Sequence, residues 1–407
     1  MENSKLLTIS TATIFLFSGC FDVETANDEI KTEINTTVEQ IEDIEDTVDT
    51  ITQLTQSTTN PAEESYYKYL WQIDSKNSSE EKISQEISRA LGDIYRVDPI
   101  DENADIDILD AWKITKGQGV IVAIIDDGFD VEHEDLKSNI YLTYNADTGS
   151  NDVSNTSNDI SHALHGNSCA GFISAPINGV GIIGTAPESK LIAIKQEEGN
   201  DLKTIRAFEY ARDHGAKVIS CSWGTEYVSD AVVSELKSLY DDGITVLFAS
   251  GNDTKDLDNP NIYDESEVEW VIGVSASGEN NDVTYYSNYG NNIDILAPGG
   301  DASNSTGLLG LDDSGTQGST ENYGLVSNSY SFMNGTSFSA PIASGVVALM
   351  YSVNPNITPK QVRDILIETA TKIGVDSNYN SDGFDERRAY GKVDAYKAVL
   401  SAKALNN

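Results

Sequence analysis

Six short apolar runs separated by polar stretches dominate the middle of the chain. The runs are continuous rather than alternating and rich in β-branched residues, and they cover residues 119–125, 190–194, 216–222, 244–250, 270–276 and 293–297. Continuous runs of this length are typical of strands that are covered on both faces, which occur mainly in parallel sheets flanked by helices. The pattern therefore predicts an α/β fold of three layers, in which helices flank a mostly parallel central sheet.

A longer apolar stretch near the C-terminal end predicts a buried helix. Residues 338–355, FSAPIASGVVALMYSVNP, are apolar nearly all round, and Gly345 allows a neighbouring element to approach closely. Asn354 and Pro355 end the pattern. Three hydroxyl residues stand at its start: Thr336, Ser337 and Ser339. The first turn of a buried helix is a good place for a nucleophile, because free backbone amides and the positive end of the helix dipole favour developing negative charge.

The N-terminal residues differ in composition from the predicted globular domain, residues 65–402. Residues 1–20 contain Lys5, an apolar run and small residues that end at Cys20, a pattern that indicates an export signal. The letters FSGC resemble the lipid-attachment box of bacterial lipoproteins. We therefore expect an exported protein that is anchored to a bacterial membrane by lipid on Cys20. The alternatives are ordinary signal cleavage, which gives a secreted protein, and a retained anchor.

Residues 21–64 form an acidic segment with a seven-residue repeat. From Phe21 to Tyr66 there are thirteen acidic residues and one basic residue. The apolar positions of the repeat are Ile30, Ile34, Ile41, Ile44, Val48 and Ile51. The segment is either a short helical stalk, able to self-associate weakly as a coiled coil, or a disordered acidic tether, since like charges along one helix repel.

The charge of the chain narrows the classes of partner. The formal net charge is -40, from 66 acidic and 26 basic residues. So large a negative charge repels nucleic acid and anionic membrane surfaces and keeps a folded chain soluble. We therefore expect no nucleic-acid partner, and we interpret most of the acidic residues as a solvated surface.

Polar residues of types that can take part in catalysis follow several of the predicted strands. Asp126 and Asp127 come directly after the first apolar run, and Asn252 follows the run at 244–250. His165 precedes a glycine and several small residues, which let a helix pack closely against the sheet, whereas His162 lacks that context. In sheets of this type the sites form beyond the carboxyl ends of the strands, so these side chains are candidates for one site.

Five segments taken together resemble a known family. VAIIDDGFDVEHEDL, HGNSCAG, SWG, ASGN and NGTSFSAP, in this order, resemble the subtilisin-like serine proteases. The Asp-Asp-Gly and Ser-Trp-Gly variants are most similar to the kexin and furin side of that family. The resemblance extends from about Tyr67 to near the end of the chain. It implies a subtilisin-like fold and a serine endopeptidase that cleaves proteins or peptides through an acyl-enzyme.

The resemblance also implies roles for individual residues. Ser337 resembles the nucleophile, His165 the general base and later general acid, and Asp126 the carboxylate that orients the imidazole. Asn252 resembles the donor that, with the backbone amide of Ser337, stabilises the oxyanion. Thr336 is then expected to shape the tight turn.

Substrate binding is implied at a second set of positions. Ser222, Trp223 and Gly224 resemble the strand edge to which an extended substrate adds as a further strand. Asp127 resembles the acid that in the kexin group favours a basic residue just before the one at the cleaved bond. Glu226 lies near that group's further acids, but Tyr227 stands where another pocket acid is expected.

The family resemblance also implies structural calcium. Asp135 resembles a carboxylate ligand of Ca²⁺ and Asn178 a side-chain oxygen ligand, and backbone carbonyl groups would complete the shell. Cys169 and Cys221 are expected to be buried free thiols, with a mutual disulfide as the alternative if their side chains face each other.

Two further readings remain open. The complete set of motifs favours an active enzyme over an inactive, protease-like surface protein that binds or displays a partner. The segment before Ser337, residues 299–331, is rich in Gly, Ser, Asn and Asp, so we predict a surface loop, which either shapes the substrate cleft or binds a further cation.

Overall fold

The computed structural model describes residues 60–78, 100–154, 160–197, 199–301, 307–314, 325–375 and 378–406. These residues belong to a compact unit that extends from Asn60 to Asn407, so residues 60–64 join the globular domain predicted to begin at 65. The predictions for the export signal at 1–20, and for the acidic segment up to residue 59, lie outside the described residues.

The strands follow the apolar runs of the sequence. In chain order they are β1 (Ile121–Asp126), β2 (Ile140–Asn145), β3 (Lys190–Lys195), β4 (Val218–Cys221), β5 (Thr245–Ala249), β6 (Ile272–Ser277), β7 (Ile295–Pro298), β8 (Leu308–Leu311) and β9 (Tyr330–Met333). Each of the six predicted runs forms one strand, β1 or β3 to β7. Strand β2 was not predicted, because it is an edge strand that is largely half-exposed and therefore lacks a continuous apolar run.

The helices vary from a single turn to five turns. In chain order they are α1 (Ser75–Ser78), α2 (Ile108–Ala111), α3 (Ile160–Ser174), α4 (Asp201–Asp213), α5 (Asp230–Asp241), α6 (Thr336–Val353), α7 (Pro359–Thr369) and α8 (Ala395–Ala404). Side-chain caps begin several of them: Asn200 accepts from the Lys203 amide, and Ser229 from the Val232 amide.

Seven parallel strands form the central sheet. Their order is β2-β3-β1-β4-β5-β6-β7, and every neighbouring pair is parallel. The order shows that β1 is central although it comes first along the chain, so its carboxyl end lies between those of β3 and β4. The predicted three-layer α/β fold is confirmed.

Each face of the sheet has its own apolar core. Along β1 the side chains alternate between the two, so that Val122 and Ile124 pack into one core while Ala123 and Ile125 pack into the other. Helices α3, α6 and α8 contribute to the first core, and α4 and α5 to the second. Burial on both faces explains why the strands are continuously apolar.

Helix α6 is the central helix of the first core. Almost all of its residues are buried, and Gly345 lies so close to Thr185 that an added Cβ would be 2.5 Å from the Thr185 Cβ. Among the described residues it alone has the length and apolar character to cross a membrane, but 83% of it is buried inside the protein. It is therefore a core helix, as its sequence predicts.

The segment before α6 differs from its prediction. Within residues 299–331, which the composition indicates to be a surface loop, β8 and the start of β9 form a buried antiparallel pair. Leu309 and Phe332 are opposite each other in that pair and belong to the first core. The prediction of a surface loop was therefore wrong for these strands, because each has only four residues, too few for an apolar run to stand out from the polar residues around it.

The two described cysteines are free and buried. Cys169, on α3, packs into the first core, whereas Cys221, on β4, packs into the second. The sheet separates the two side chains, so a mutual disulfide is excluded and the prediction of free thiols is confirmed. Burial raises the pKa of both thiols well above the ordinary value, which keeps them protonated and unreactive.

Candidate active site

The site lies where β1 ends beside helix α3. Asp126 is the last residue of β1, and its side chain is almost fully buried. Its Oδ1 atom is 2.7 Å from Nδ1 of His165, whose side chain keeps 29% exposure. A carboxylate only accepts hydrogen bonds, so Nδ1 carries the proton and Nε2 is left as the basic nitrogen.

Each member of this pair changes the pKa of the other. Burial opposes the charged form of Asp126, but the facing imidazole and hydrogen bonds from Asp127 lower the pKa of Asp126 overall. Burial likewise lowers the pKa of His165, but the Asp126 carboxylate outweighs it, so the pKa of His165 is raised above 6.5. Asp127 adds to this rise through its charge. The pair therefore stabilises an imidazolium, which is the form that a general base becomes.

Ser337 lies at the start of α6, beside this pair. It is the second residue of the helix, so its backbone amide has no acceptor within the helix. The ring of the next residue, Phe338, packs 5.8 Å from the His165 ring. The Ser337 hydroxyl donates to the Ser222 carbonyl oxygen at 3.1 Å, and the Ser222 hydroxyl donates to the Ser337 carbonyl oxygen at 2.7 Å. The serine is thus fixed against the end of β4.

Asn252 is oriented by the residue before Ser337. Its Oδ1 atom accepts hydrogen bonds from the Thr336 amide at 2.8 Å and from the Thr336 hydroxyl at 3.0 Å. The Thr336 hydroxyl also accepts from the Gly251 amide at 3.1 Å. With its oxygen so occupied, the Asn252 side chain turns its NH₂ group away from Thr336, and this group has no partner among the described residues. Thr336 therefore positions the amide, a role that the sequence motif alone does not reveal.

A pocket of about 330 Å³ opens beside Ser337. Ser222, Trp223 and Gly224, which the sequence analysis assigns to substrate binding, line it. The indole of Trp223 donates to the Ile125 carbonyl oxygen at 3.0 Å and packs edge-on against Phe248, so this wall is rigid. A Cβ on Gly224 would be 2.4 Å from an Asp264 carboxylate oxygen, which explains why a glycine stands there.

Two predicted binding residues have different positions relative to this pocket. Glu226 lines it, whereas Asp127 does not. The Asp127 amide donates to Asp126 at 2.9 Å, and its carboxylate influences His165. Lys255 also lines the pocket and was missed by sequence reasoning. Its only signal in the sequence is its place three residues after Asn252.

Asp135 and Asn178 lie together at a separate place, with Glu64 beside them. Asp135 accepts from the Ile182 amide at 2.8 Å and from the Asn178 side-chain nitrogen at 3.2 Å. Glu64 Oε1 accepts from the amides of Asn178 at 2.6 Å and Gly179 at 2.8 Å. The loop 178–182 therefore wraps around two buried carboxylates.

This group has the chemistry of a site for a hard cation. The Oε2 atom of Glu64 is buried and has no hydrogen-bond partner among the described residues. Burial raises the pKa of Glu64 to about 7, and burial together with the Glu64 charge raises the pKa of Asp135 well above its ordinary value. A divalent cation would compensate both charges, so Asp135 and Glu64 fit Ca²⁺. Asn178 would have to turn, because its oxygen accepts from the Val180 amide.

Glu64 was also missed by sequence reasoning. It falls at the end of the predicted acidic segment 21–64, where one more acidic residue carries no signal. Only the contacts of residues 60–66 with the loop 178–182 reveal its place; the Tyr66 amide, for example, donates to the Gly181 carbonyl oxygen at 3.1 Å.

Several known proteins are similar to this chain. The model of the subtilase family, Peptidase S8, matches residues 117–391. The calcium-dependent protease of Nostoc sp. strain PCC 7120 is 32% identical over 71% of this chain and 47% of its own length. The chain thus spans about half the length of such curated relatives. A solved protease from Pseudoalteromonas arctica PAMC 21717 is 28% identical, with a TM-score of 0.59, and the match covers 74% of this chain and 94% of that one.

These comparisons do not favour one branch of the family. A dibasic-processing endoprotease of Yarrowia lipolytica is 30% identical over 74% of this chain and 32% of its own length. It is therefore no more similar than the Nostoc protease at 32% identity. The special closeness to the kexin and furin side, which the Asp126-Asp127-Gly128 variant suggests, is not confirmed.

We predict that Asp127→Asn lowers the pKa of His165. Removing the negative charge of Asp127 weakens the stabilisation of the imidazolium, so the ring should lose its proton at a lower pH than in the parent. The measurement is an NMR titration of the histidine rings, with the His165 signal assigned from a His165→Gln variant. The parent should titrate above 6.5.

Asp364→Asn is the matched control for this titration, because it removes an exposed carboxylate that pairs with Lys360 on α7. It should leave the His165 midpoint in place. An unchanged or higher midpoint in Asp127→Asn would contradict the electrostatic role assigned to Asp127.

Proposed function

Since the chain belongs to the subtilase family of serine peptidases, we propose that it is a serine endopeptidase that hydrolyses peptide bonds of proteins. The observation that carries the proposal is the pairing of His165 with buried Asp126 next to a serine at the start of a buried helix. Ser337 acts as the nucleophile, His165 as the base and Asp126 as the group that orients it.

The reaction proceeds through an acyl-enzyme. The Ser337 hydroxyl first leaves its hydrogen bond to the Ser222 carbonyl oxygen and forms one to Nε2 of His165. It then gives its proton to Nε2 while its oxygen bonds to the carbonyl carbon of the substrate. His165 then returns the proton to the leaving amine as the peptide bond breaks. A water molecule, deprotonated in the same way, attacks the ester and releases the acid product, which restores the serine.

Two hydrogen-bond donors stabilise the negative charge that develops on the substrate oxygen. They are the backbone amide of Ser337 and the side-chain NH₂ of Asn252, which Thr336 holds in place. Both are fixed before the substrate arrives, so little reorganisation is needed as the charge forms. A single donor of this kind contributes roughly 3 kcal/mol to the transition state.

An extended substrate backbone adds along Ser222, Trp223 and Gly224, at the carboxyl end of β4. Its side chain before the cleaved bond enters the pocket that these residues line. This mode of binding requires an extended segment, so we expect the natural substrates to be unfolded proteins, peptides or exposed loops.

We predict that Ser337→Ala abolishes reaction with a fluorophosphonate probe. Such probes form a bond with an activated serine hydroxyl, so the parent should be labelled and the variant should not. Hydrolysis of an unstructured protein substrate should fall by several orders of magnitude. The measurement is mass spectrometry of the labelled chain, from residue 60 onward, with circular dichroism to confirm folding.

Ser339→Ala is the matched control, because it removes another buried hydroxyl of the same helix, one that donates to the Pro298 carbonyl oxygen. It should be labelled like the parent. Labelling that survives in Ser337→Ala would overturn the assignment of the nucleophile. A folded parent that is not labelled at all would favour the inactive, protease-like binding protein.

We further propose that Ca²⁺ binds at Glu64, Asp135 and Asn178 as a structural ion. Bound there, it would neutralise two buried carboxylates and tie residues 60–66 to the loop 178–182. The proposal is supported by the unpartnered oxygen of Glu64 and by the raised pKa of both acids. The calcium-dependent protease among the relatives is consistent with it.

We predict that calcium stabilises the fold more at pH 8 than at pH 5. In the metal-free protein the pKa of Glu64 rises from 4.5 to about 7 on folding, so its contribution to stability is lost as the pH rises through that window. Calcium removes this loss by compensating the carboxylates. Scanning calorimetry should show a rise in melting temperature of several degrees at pH 8, since about 1 kcal/mol corresponds to about 2–4 °C.

Glu64→Gln should reduce this calcium effect, while Asp364→Asn, which removes an exposed carboxylate on α7, should leave it unchanged. A calcium effect that is equal in the parent and in Glu64→Gln would place the ion elsewhere.

We also propose that the protein is exported and carries lipid on Cys20 at the cell envelope. Support comes from the apolar leader and the letters FSGC.

We predict that, in a bacterial host fed labelled palmitate, the full chain incorporates label and Cys20→Ser does not. After detergent phase separation, the full chain should be found in the detergent phase and the Cys20→Ser variant in the aqueous phase. Label retained by Cys20→Ser would exclude lipid on Cys20, and absence of label from both chains would favour the secreted alternative.

A further inference from the structure

The pocket beside Ser337 carries charged side chains on facing walls. Glu226 lies on the segment after β4, whereas Asp253 and Lys255 lie on the segment after β5. Asp264 also lines the pocket and is almost fully buried. Three acidic groups and one basic group therefore surround the space that the substrate side chain enters.

Lys255 connects the two walls. Its ammonium group forms an ion pair with Glu226 across the pocket and lies 3.3 Å from the Asp253 carboxylate. The two acids are each 64% exposed, and ion pairs this exposed contribute little to the stability of a fold. The arrangement therefore affects what the pocket accepts more than how stable the protein is.

The backbone at both walls is held in an unfavourable conformation. Glu226 has φ +61° and Thr254 has φ +56°, a region that non-glycine residues, and β-branched ones above all, rarely adopt. Buried side chains enforce these conformations: Asp264 accepts the Glu226 amide at 3.2 Å, and Asn288 accepts the Lys255 amide at 2.8 Å. Such conformations cluster at functional sites, where the surroundings fix them.

We propose that Lys255 is the residue that sets the charge selectivity of this pocket. It occupies the carboxylates that a basic substrate side chain would bind, so the pocket selects an uncharged, apolar side chain at the residue before the cleaved bond. The inference rests on the proposed peptidase function and deepens it by naming the class of substrate.

Charge excludes both kinds of ionised side chain. A lysine or arginine of the substrate would meet Lys255, and the acids Glu226 and Asp253 are already paired. An aspartate or glutamate would enter a space surrounded by three carboxylates, with a single ammonium group shared between two of them.

The remaining walls favour an apolar side chain. Ala249, Leu257 and Ile262 line the pocket together with Trp223. Its volume of about 330 Å³ is enough for a leucine, methionine or aromatic side chain.

The test uses the variant Lys255→Met, which keeps the length of the side chain and removes its charge. Three peptide substrates, identical except for Leu, Lys or Glu before the cleaved bond, are compared by kcat/KM. In the parent we expect Leu to be preferred. In Lys255→Met the Lys-to-Leu ratio should rise about tenfold, the effect of releasing two carboxylates near the surface.

Two further variants show whether charge is the cause. Glu226→Gln breaks the same ion pair but makes the pocket less acidic, so its Lys-to-Leu ratio should not rise. Lys360→Met removes a lysine that is paired with Asp364 away from the pocket, and it should behave like the parent.

The inference is overturned if the parent already prefers Lys to Leu, if Lys255→Met leaves the ratio unchanged, or if Glu226→Gln raises it equally. Titration of each variant with the fluorophosphonate probe counts the active sites. Absence of labelling in all of them contradicts the peptidase function itself, whereas normal labelling with an unchanged ratio contradicts only the role of Lys255.

Discussion

The burial of helix α6 is the constraint on which the rest of the site depends. The helix packs against α3 and the central strands of the sheet, so its first turn cannot move without disturbing the first core. Its start meets the carboxyl ends of the strands, where Asp126, Ser222 and Asn252 emerge. Ser337 and Thr336 therefore hold their partners through rigid packing, and the hydrogen bonds around them only complete an arrangement that the core already imposes.

Much of this arrangement follows from the sequence. Strands covered on both faces are apolar throughout, so β1 and its neighbours can be recognised from their continuous apolar runs. Residues at or just beyond the carboxyl ends of such strands, such as Asp126 and Asn252, must lie at one edge of the sheet. The assignment of His165 needed the small residues that follow it. In each case the information is local, which is why it can be read along the chain.

What the sequence does not reveal depends on contacts between distant segments. Strand β2 is stabilised by its position beside β3, and β8 by its pairing with β9, so neither needs a strong apolar pattern. Glu64 becomes a candidate ligand only because residues 60–66 reach the loop 178–182. The proposed role of Lys255 in selectivity depends on its ion pair with Glu226, which lies on another loop. In a chain with 66 acidic residues, no local pattern separates these few from the solvated majority.

The strand order has a further consequence for when the site comes into existence. Since β1 is placed between β3 and β4, it finds its neighbours only after long stretches of chain have been synthesised and brought together. Asp126 and Ser337 come from segments far apart along the chain, so they can meet only after α6, near the C-terminal end of the domain, has been synthesised. Under the proposed function, a chain whose synthesis has not yet reached α6 would lack its nucleophile and could not cut other copies while their loops are still exposed.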